Sequence, residues 1–327
     1  MKDRRNFIKQ GSYLAAAGAM SPLIMSCSQA KKSLEISGKS DRRNGADDMF
    51  FKISLAQWSF NKAIFAGELD HLEFAAKTKS LDMDGIEYVN QFFYDKAEDQ
   101  DYLKEMNMRA NDAGVKQLLI MVDREGGLGT IDDKERKAAV EKHYKWVEAA
   151  KTLGCHSVRV NAYGEGSESD VHAAAVSGLG ALSEYAAQDG LNVIVENHGS
   201  YSSDGSWLAS VMQQVNMDNC GTLPDFGNFC TKREGGELYS AKCIEEYDRY
   251  QGVTDMMPFA KAVSAKANDF DDAGNEIHTD YMRIMKIVKD HGYNGYVGIE
   301  YEGSTMTEEA GIIATRDLLR KVGTALS

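Results

Sequence analysis

Three carboxylates in this chain stand directly after short apolar runs: Glu196 in Asn192-Val-Ile-Val-Glu-Asn-His198, Asp225 in Thr222-Leu-Pro-Asp-Phe-Gly-Asn228, and Glu300 in Tyr296-Val-Gly-Ile-Glu-Tyr-Glu302. If each run is a buried strand, all three acids enter an apolar interior, where an unpaired carboxylate is costly. A shared divalent cation is the economical way to hold them together. An all-oxygen donor set suits Mn2+, Mg2+ or Co2+ ahead of Zn2+. The competing arrangement pairs each acid with Lys or Arg at the strand ends, or uses it as a helix cap. Three acids at matching positions favour the cation.

A fourth run, Ala260-Lys-Ala-Val-Ser264-Ala-Lys266-Ala-Asn268, puts Ser264, Lys266 and Asn268 on one strand face by its period of two. Beside a metal, Lys266 would polarise a carbonyl or neutralise an enolate. A counter-ion role for Lys266 is compatible with that. His198 has the strand parity of Glu196, so it faces the same interior, and Asn228 follows Asp225 by three residues. Further candidates for ligand contact are Glu87 in Gly85-Ile-Glu-Tyr-Val-Asn90, Arg159 and Asn161 in Arg159-Val-Asn-Ala-Tyr163, and Trp58. Trp58 either stacks on a sugar face or closes the mouth. His143 and His172 fall in helical segments and read as structural.

These residues need elements to position them. Eight strand candidates run in order: 52–58, 85–89, 116–122, 157–162, 192–197, 221–226, 261–266 and 296–301. Helix-period segments separate them, such as Ala139, His143, Trp146, Ala150 and Leu153, whose spacing keeps one face apolar. A second has Tyr281, Met285 and Val288 on one face, Thr279 or Asp280 as entry cap and Gly292 as stop. Alternating strand and helix in eight units predicts an α/β fold, a single (β/α)8 TIM barrel over residues 50–327. Active sites of such barrels lie at the C-terminal strand ends, where the acids stand. No G-x-G-x-x-G follows the first strand and no Walker loop occurs, so nucleotide-binding folds are disfavoured.

Ahead of the barrel, residues 1–26 read as an export signal, with a basic Lys2-Asp-Arg-Arg-Asn-Phe-Ile-Lys9 and an apolar stretch too short to span a bilayer. Arg4-Arg5-Asn6-Phe7-Ile8-Lys9 resembles a twin-arginine motif, and Ile24-Met25-Ser26-Cys27 resembles a lipobox that would acylate Cys27. Residues 27–49 read as a solvated tether. The expected location is therefore periplasmic, or membrane-anchored through Cys27. The whole chain of 327 residues carries a formal charge of -13, and its first 26 residues carry +3, so the remainder stands at -16. Such a surface disfavours nucleic acid as a partner and a phosphorylated sugar as a substrate. Cys155, Cys220, Cys230 and Cys243 follow Cys27, and the sequence leaves their pairing open; Cys155 and Cys220 read as buried apolar residues.

From about Phe51 to Leu326 the chain resembles the sugar phosphate isomerase/epimerase group of xylose isomerase-like TIM barrels, within the AP endonuclease 2 superfamily and related to ketose 3-epimerases. Glu196, Asp225 and Glu300, the last in Gly298-Ile-Glu-Tyr-Glu-Gly303, match the positions of that family's metal-binding carboxylates. The resemblance implies that Glu196 and Glu300 also move a proton. It implies a divalent metal ion and a small carbohydrate as substrate. The sequence departs from the pattern at Ser264, where the family usually has a metal-binding His; His198, water or Ser264 itself would supply that ligand. The expected activity is metal-dependent isomerisation or epimerisation of a sugar or sugar derivative through proton removal beside a carbonyl, with Asn161, His198 and Asn228 orienting hydroxyls. Two alternatives are β-elimination from a 3-keto-glycoside, which makes the enzyme a lyase, and a non-catalytic carbohydrate-binding barrel.

Overall fold

The computed structural model of the protein describes residues 49–237 and 241–327. The expected export signal, Cys27 and the tether as far as residue 48 lie outside the described residues. In chain order the elements are β1 (Lys52–Ala56), α1 (Asn61–Phe65), α2 (Phe74–Ser80), β2 (Gly85–Val89), α3 (Gln100–Ala113), β3 (Lys116–Met121), α4 (Asp133–Thr152), β4 (Ser157–Val160), α5 (Glu168–Ala187) and β5 (Asn192–Glu196). There follow α6 (Gly205–Val215), β6 (Cys220–Leu223), β7 (Cys230–Arg233), β8 (Cys243–Glu246), α7 (Arg249–Met256), β9 (Val263–Ala267), α8 (Tyr281–Asp290), β10 (Tyr296–Tyr301) and α9 (Glu308–Leu326). Eight of the strands form one parallel sheet in the order β6-β5-β4-β3-β2-β1-β10-β9. The edge strands meet through isolated parallel bridges, Thr222 to Ala260 and Asp225 to Ser264. This is the expected TIM barrel.

The seam between β6 and β9 is irregular for a local reason. Pro224 has no N–H to give a ladder, so β6 stops at Leu223 instead of reaching Phe226 as the apolar run suggests. Its carbonyl still accepts from the Ser264 N–H at 2.9 Å, and Phe226 N–H donates to Ser264 O at 3.1 Å. Likewise β1 ends at Ala56, because Gln57–Phe60 turn into a 3-10 helix that carries Trp58 past the strand end. The β7–β8 hairpin inserted after β6 is not foreseen from the sequence. A disulfide joins its strands from Cys230 to Cys243, while Cys155 and Cys220 are free and buried.

Strand parity separates two cores. Inside the barrel, Ala56, Val89, Leu119, Met121, Ile194, Leu223 and Ala262 form a small apolar plug. The opposite strand faces pack against the helices in a larger cluster. In α4 the side chain of Asp132 caps Glu135 N at 2.9 Å, and Ala139, His143, Trp146 and Ala150 are buried. In α8 it is Asp280, not Thr279, that caps, accepting from Arg283 N at 3.0 Å. That helix stops at Gly292, whose φ of 73° suits a residue without a Cβ.

The outer core also holds a titratable group. The His71 ring stacks on Phe93 with centroids 4.7 Å apart, and Gln57 Nε2 lies 2.8 Å from its Nδ1. Gln57 Oε1 accepts from Val89 N–H, so the amide offers His71 a donor, and Nδ1 must be an acceptor. Burial holds the His71 pKa down at about 4, against a weaker opposing pull from Asp70. The neutral form is the folded one. Its stabilising contribution is therefore complete above the ordinary value of about 6.5 and drains away as pH falls from there to about 4. Urea titrations should show up to about 3 kcal/mol lost over this range. A His71→Leu variant should show a visibly flatter dependence, and an unchanged slope would refute the assignment.

Candidate active site

The inward positions at the C-terminal ends of β4, β5, β9 and β10 bring Arg159, Glu196, Lys266 and Glu300 together with Asp225 just beyond β6 and Ser264 near the start of β9, all buried. Oxygens of Glu196, Asp225 and Glu300 lie within 4.8 Å of one another. Glu196 follows Ile194 of the plug by two residues, so the same parity that fills the barrel aims its carboxylate inward.

Each acid has a different set of partners. Glu196 Oε1 accepts from Asn228 Nδ2 at 2.9 Å, and its Oε2 lies 2.8 Å from Arg159 Nε. That ion pair is not aligned as a hydrogen bond, so Oε2 remains without a donor. Asp225 Oδ1 accepts from the N–H groups of Gly227 and Asn228, both at 2.9 Å, and Oδ2 accepts from Ser264 Oγ at 2.5 Å. Glu300 Oε1 accepts from Lys266 Nζ at 2.7 Å, leaving Oε2 buried and without a partner. The pairing of acids with Lys and Arg is thus realised in part.

Two acids that the sequence reading does not single out complete the charge pattern. Asp123, at the end of β3, accepts from Arg159 and from Asn161, each at 2.9 Å. Glu302 accepts from Lys266 at 2.9 Å and from Trp58 Nε1 at 2.6 Å. Asp123 follows an apolar run just as Glu196 does, so the same signal marks it. Glu87 lies inside the barrel, accepting from Ser54 Oγ at 2.6 Å, with Oε2 unpartnered. It fits only because residue 298 is Gly; a Cβ there would stand 2.4 Å from Glu87 Oε1. His198 Nδ1 lies 3.0 Å from Asn161 Oδ1, at the rim of the acidic centre.

Burial dominates the proton affinities. It pushes Glu87 and Glu196 up to about 7 and Asp225 up to about 6, and it raises Glu300 despite the opposing Lys266. Burial acts on Glu302 in the same sense, but Lys266 and the hydrogen bonds from Lys266 and Trp58 outweigh it and hold the carboxyl below its ordinary value. Lys266 stays cationic because Glu300 and Glu302 outweigh its desolvation. His198 is driven down to about 3 by burial and by Arg159. Arg159 and Lys266 together face more carboxylates than they can neutralise. The unpartnered buried oxygen of Glu300, the Glu196 oxygen that only an unaligned ion pair with Arg159 reaches, the surplus negative charge and the hard oxygen donors all fit a divalent cation. Ser264 already donates to Asp225, and His198 is not among the clustered ligand groups.

The mouth has two unlike halves. Over β1 and β2, Trp58 and Phe92 pack on the apolar plug; over β4 to β10 lie the charged groups. A separate cleft of about 750 Å³ opens beside the disulfide hairpin, lined by Tyr201, Trp207, Lys232, Glu245 and Tyr247 among others. The acids do not line it. Among the described residues Glu196, Asp225 and Glu300 combine burial, mutual proximity and shifted proton affinity, which makes them the candidate centre.

The sequence pattern of the xylose isomerase-like TIM barrel family matches residues 75–322. No curated protein matches the chain significantly. Among solved structures, a 3-keto-D-glucoside 4-epimerase from E. coli is 15% identical, with 83% of this chain and 99% of that one aligned at a TM-score of 0.63. A D-psicose 3-epimerase crystallised with D-fructose is 12% identical, over 83% and 99% of the two chains, with a TM-score of 0.60. A xylose isomerase-like TIM barrel protein from Mycobacterium smegmatis in complex with magnesium is 16% identical over 85% and 98%, with a TM-score of 0.61. At these identities the likeness is one of fold.

Proposed function

Since the chain belongs to the xylose isomerase-like TIM barrel family, we propose that it is a metal-dependent carbohydrate enzyme that removes a proton from a carbon beside a carbonyl. The N-terminal sequence supports a place outside the cytoplasm, free or anchored through Cys27. The observation that carries the reading is the buried triad Glu196, Asp225 and Glu300, with one oxygen of Glu300 buried and without a partner. The family's isomerases and epimerases, with a 3-keto-glucoside epimerase among the similar structures, support a sugar or keto-sugar derivative as substrate.

Glu196, Asp225 and Glu300 would hold the ion, which when bound supplies Lewis-acid polarisation of sugar oxygens. Glu196 and Glu300 lie on different walls of the mouth, so one takes the proton from the substrate carbon and the other returns it to the opposite face. Lys266, held cationic, offsets the charge that develops on the carbonyl oxygen. Asn161, His198 and Asn228 orient hydroxyls. The same first step serves elimination. On a 3-keto-glycoside, the pair of electrons left at C2 forms the C1–C2 double bond while the C1–O bond breaks, and an acid protonates the departing alcohol.

Incubation in deuterium oxide with Mn2+ tests the reading on free ketoses and on 3-keto-glucosides. Deuterium beside the carbonyl is the expected result, with epimer or released alcohol telling reprotonation from elimination. No exchange into any of these compounds would overturn it. Metal binding carries its own signature. Asp225 and Glu196 hold protons up to about 6 and about 7 without an ion, and an ion needs them ionised. Mn2+ affinity measured by calorimetry on chelator-treated protein should therefore rise with pH through this range, with protons released to buffer. An affinity indifferent to pH would argue against carboxylate ligation.

A further inference from the structure

We propose that Trp58, Phe65 and Phe92 form a platform for a planar apolar group on the substrate, so that the preferred substrate is a glycoside with an aromatic aglycone. The inference rests on the carbohydrate reading of the acidic centre and narrows it. The three rings come from separate segments, the turn after β1, the end of α1 and the turn after β2. Trp58 and Phe92 lie at 28° with centroids 6.0 Å apart, and Phe65 stands across them, 5.1 Å and 58° from Phe92 and 6.1 Å and 85° from Trp58. Phe65 is nevertheless 60% exposed. Its ring contributes to a surface rather than to the core.

Position selects the occupant. Trp58 donates to Glu302, Glu302 accepts from Lys266, and Lys266 donates to Glu300. The platform is thus joined to the acids through two intervening side chains. A molecule with its carbonyl over the acids places its other end on the rings. The apolar face of one pyranose covers about one aromatic ring, whereas Trp58 and Phe92 together offer a wider face, with Phe65 standing as a wall beside it, to a larger flat group. A ligand that spans both halves of the mouth must be polar at one end and apolar at the other. An aryl glycoside has that form.

Calorimetric titration of Mn2+-loaded protein with 4-nitrophenyl β-D-glucoside and methyl β-D-glucoside reads the platform without requiring turnover. The aryl compound should bind about tenfold tighter than the methyl compound. That ratio should fall severalfold in Phe65→Ala, whose exposed ring can be truncated without opening the core, and approach unity in Phe65→Ala/Phe92→Ala. A ratio near one in the unmodified protein, or one unmoved by Phe65→Ala, would overturn the proposal. So would a Phe65→Ala variant that sediments as a smaller species with the ratio unchanged, since the rings would then belong to an interface between two copies. Aryl preference in a protein inactive on every sugar would keep the platform and remove the catalytic reading. Deuterium exchange with no aryl preference would do the reverse.

Discussion

Glu300→Gln is expected to slow proton exchange beside the substrate carbonyl by about a thousandfold, the loss typical when a positioned acid–base group is removed. The amide keeps the shape of the side chain, and its carbonyl oxygen still accepts from Lys266. Lys266 also keeps Glu302 as a full anionic partner. Thermal stability should consequently change little, so lost rate would report chemistry rather than folding. The variant also separates the two outcomes of the reaction. Epimerisation needs acids on both faces and should stop, whereas an elimination begun by Glu196 should retain part of its rate. Exchange within tenfold of the unmodified protein would remove Glu300 from the mechanism. If the unmodified protein exchanges nothing, binds no ion stoichiometrically and holds sugar no better than the Glu300→Gln variant does, a carbohydrate-binding barrel is the better description.

Arg159→Met should produce the largest loss of stability of any single change at the site. Arg159 is 4% exposed and stands between Asp123 and Glu196. Its removal strips Glu196 of its ion pair and leaves it buried with the Asn228 hydrogen bond alone. Breaking a buried pair from one side costs about 3–5 kcal/mol. For a domain of this size that is a fall in Tm of roughly 6 °C or more. Neutralising the stranded partner should recover part of it, so Arg159→Met/Glu196→Gln should be more stable than the sum of the single changes implies. Lys is a poor substitute, because one ammonium cannot serve two carboxylates with the geometry of a guanidinium. Strict additivity would show that Arg159 and Glu196 do not interact.

The barrel was readable because each strand is an apolar run and each acid interrupts one at its end. Strands β2 and β10 coincide with the runs read from the sequence, Gly85–Val89 and Tyr296–Tyr301. The triad was readable for the same reason. Partnership was not, because it depends on register between chain-distant strands. Arg159 of β4 lies beside Ile194 of β5, which brings it within reach of Glu196 two residues on. No periodicity in either segment encodes that offset. Asp123 carries the same local signal as Glu196, but its meaning depends on Arg159, 36 residues later. The hairpin escaped because its strands are short, with every residue half-buried or exposed, so they lack an apolar pattern, and its closure rests on a disulfide whose pairing the spacing leaves open.

The seam beside Pro224 links the chemistry to the topology. Elsewhere around the ring, neighbouring strands share continuous ladders, interrupted by one register shift between β2 and β3 at Ile86 and Glu87. Here a few backbone hydrogen bonds and the contact from Ser264 to Asp225 join the ends. Asp225 is thus the clasp of the ring as well as a member of the acidic triad. Whatever grips Asp225 also fastens the barrel, and a substitution that frees it loosens the barrel at the same stroke. At this position reactivity and closure cannot be varied separately, and Ser264 strengthens the clasp by giving Asp225 a hydroxyl donor of its own.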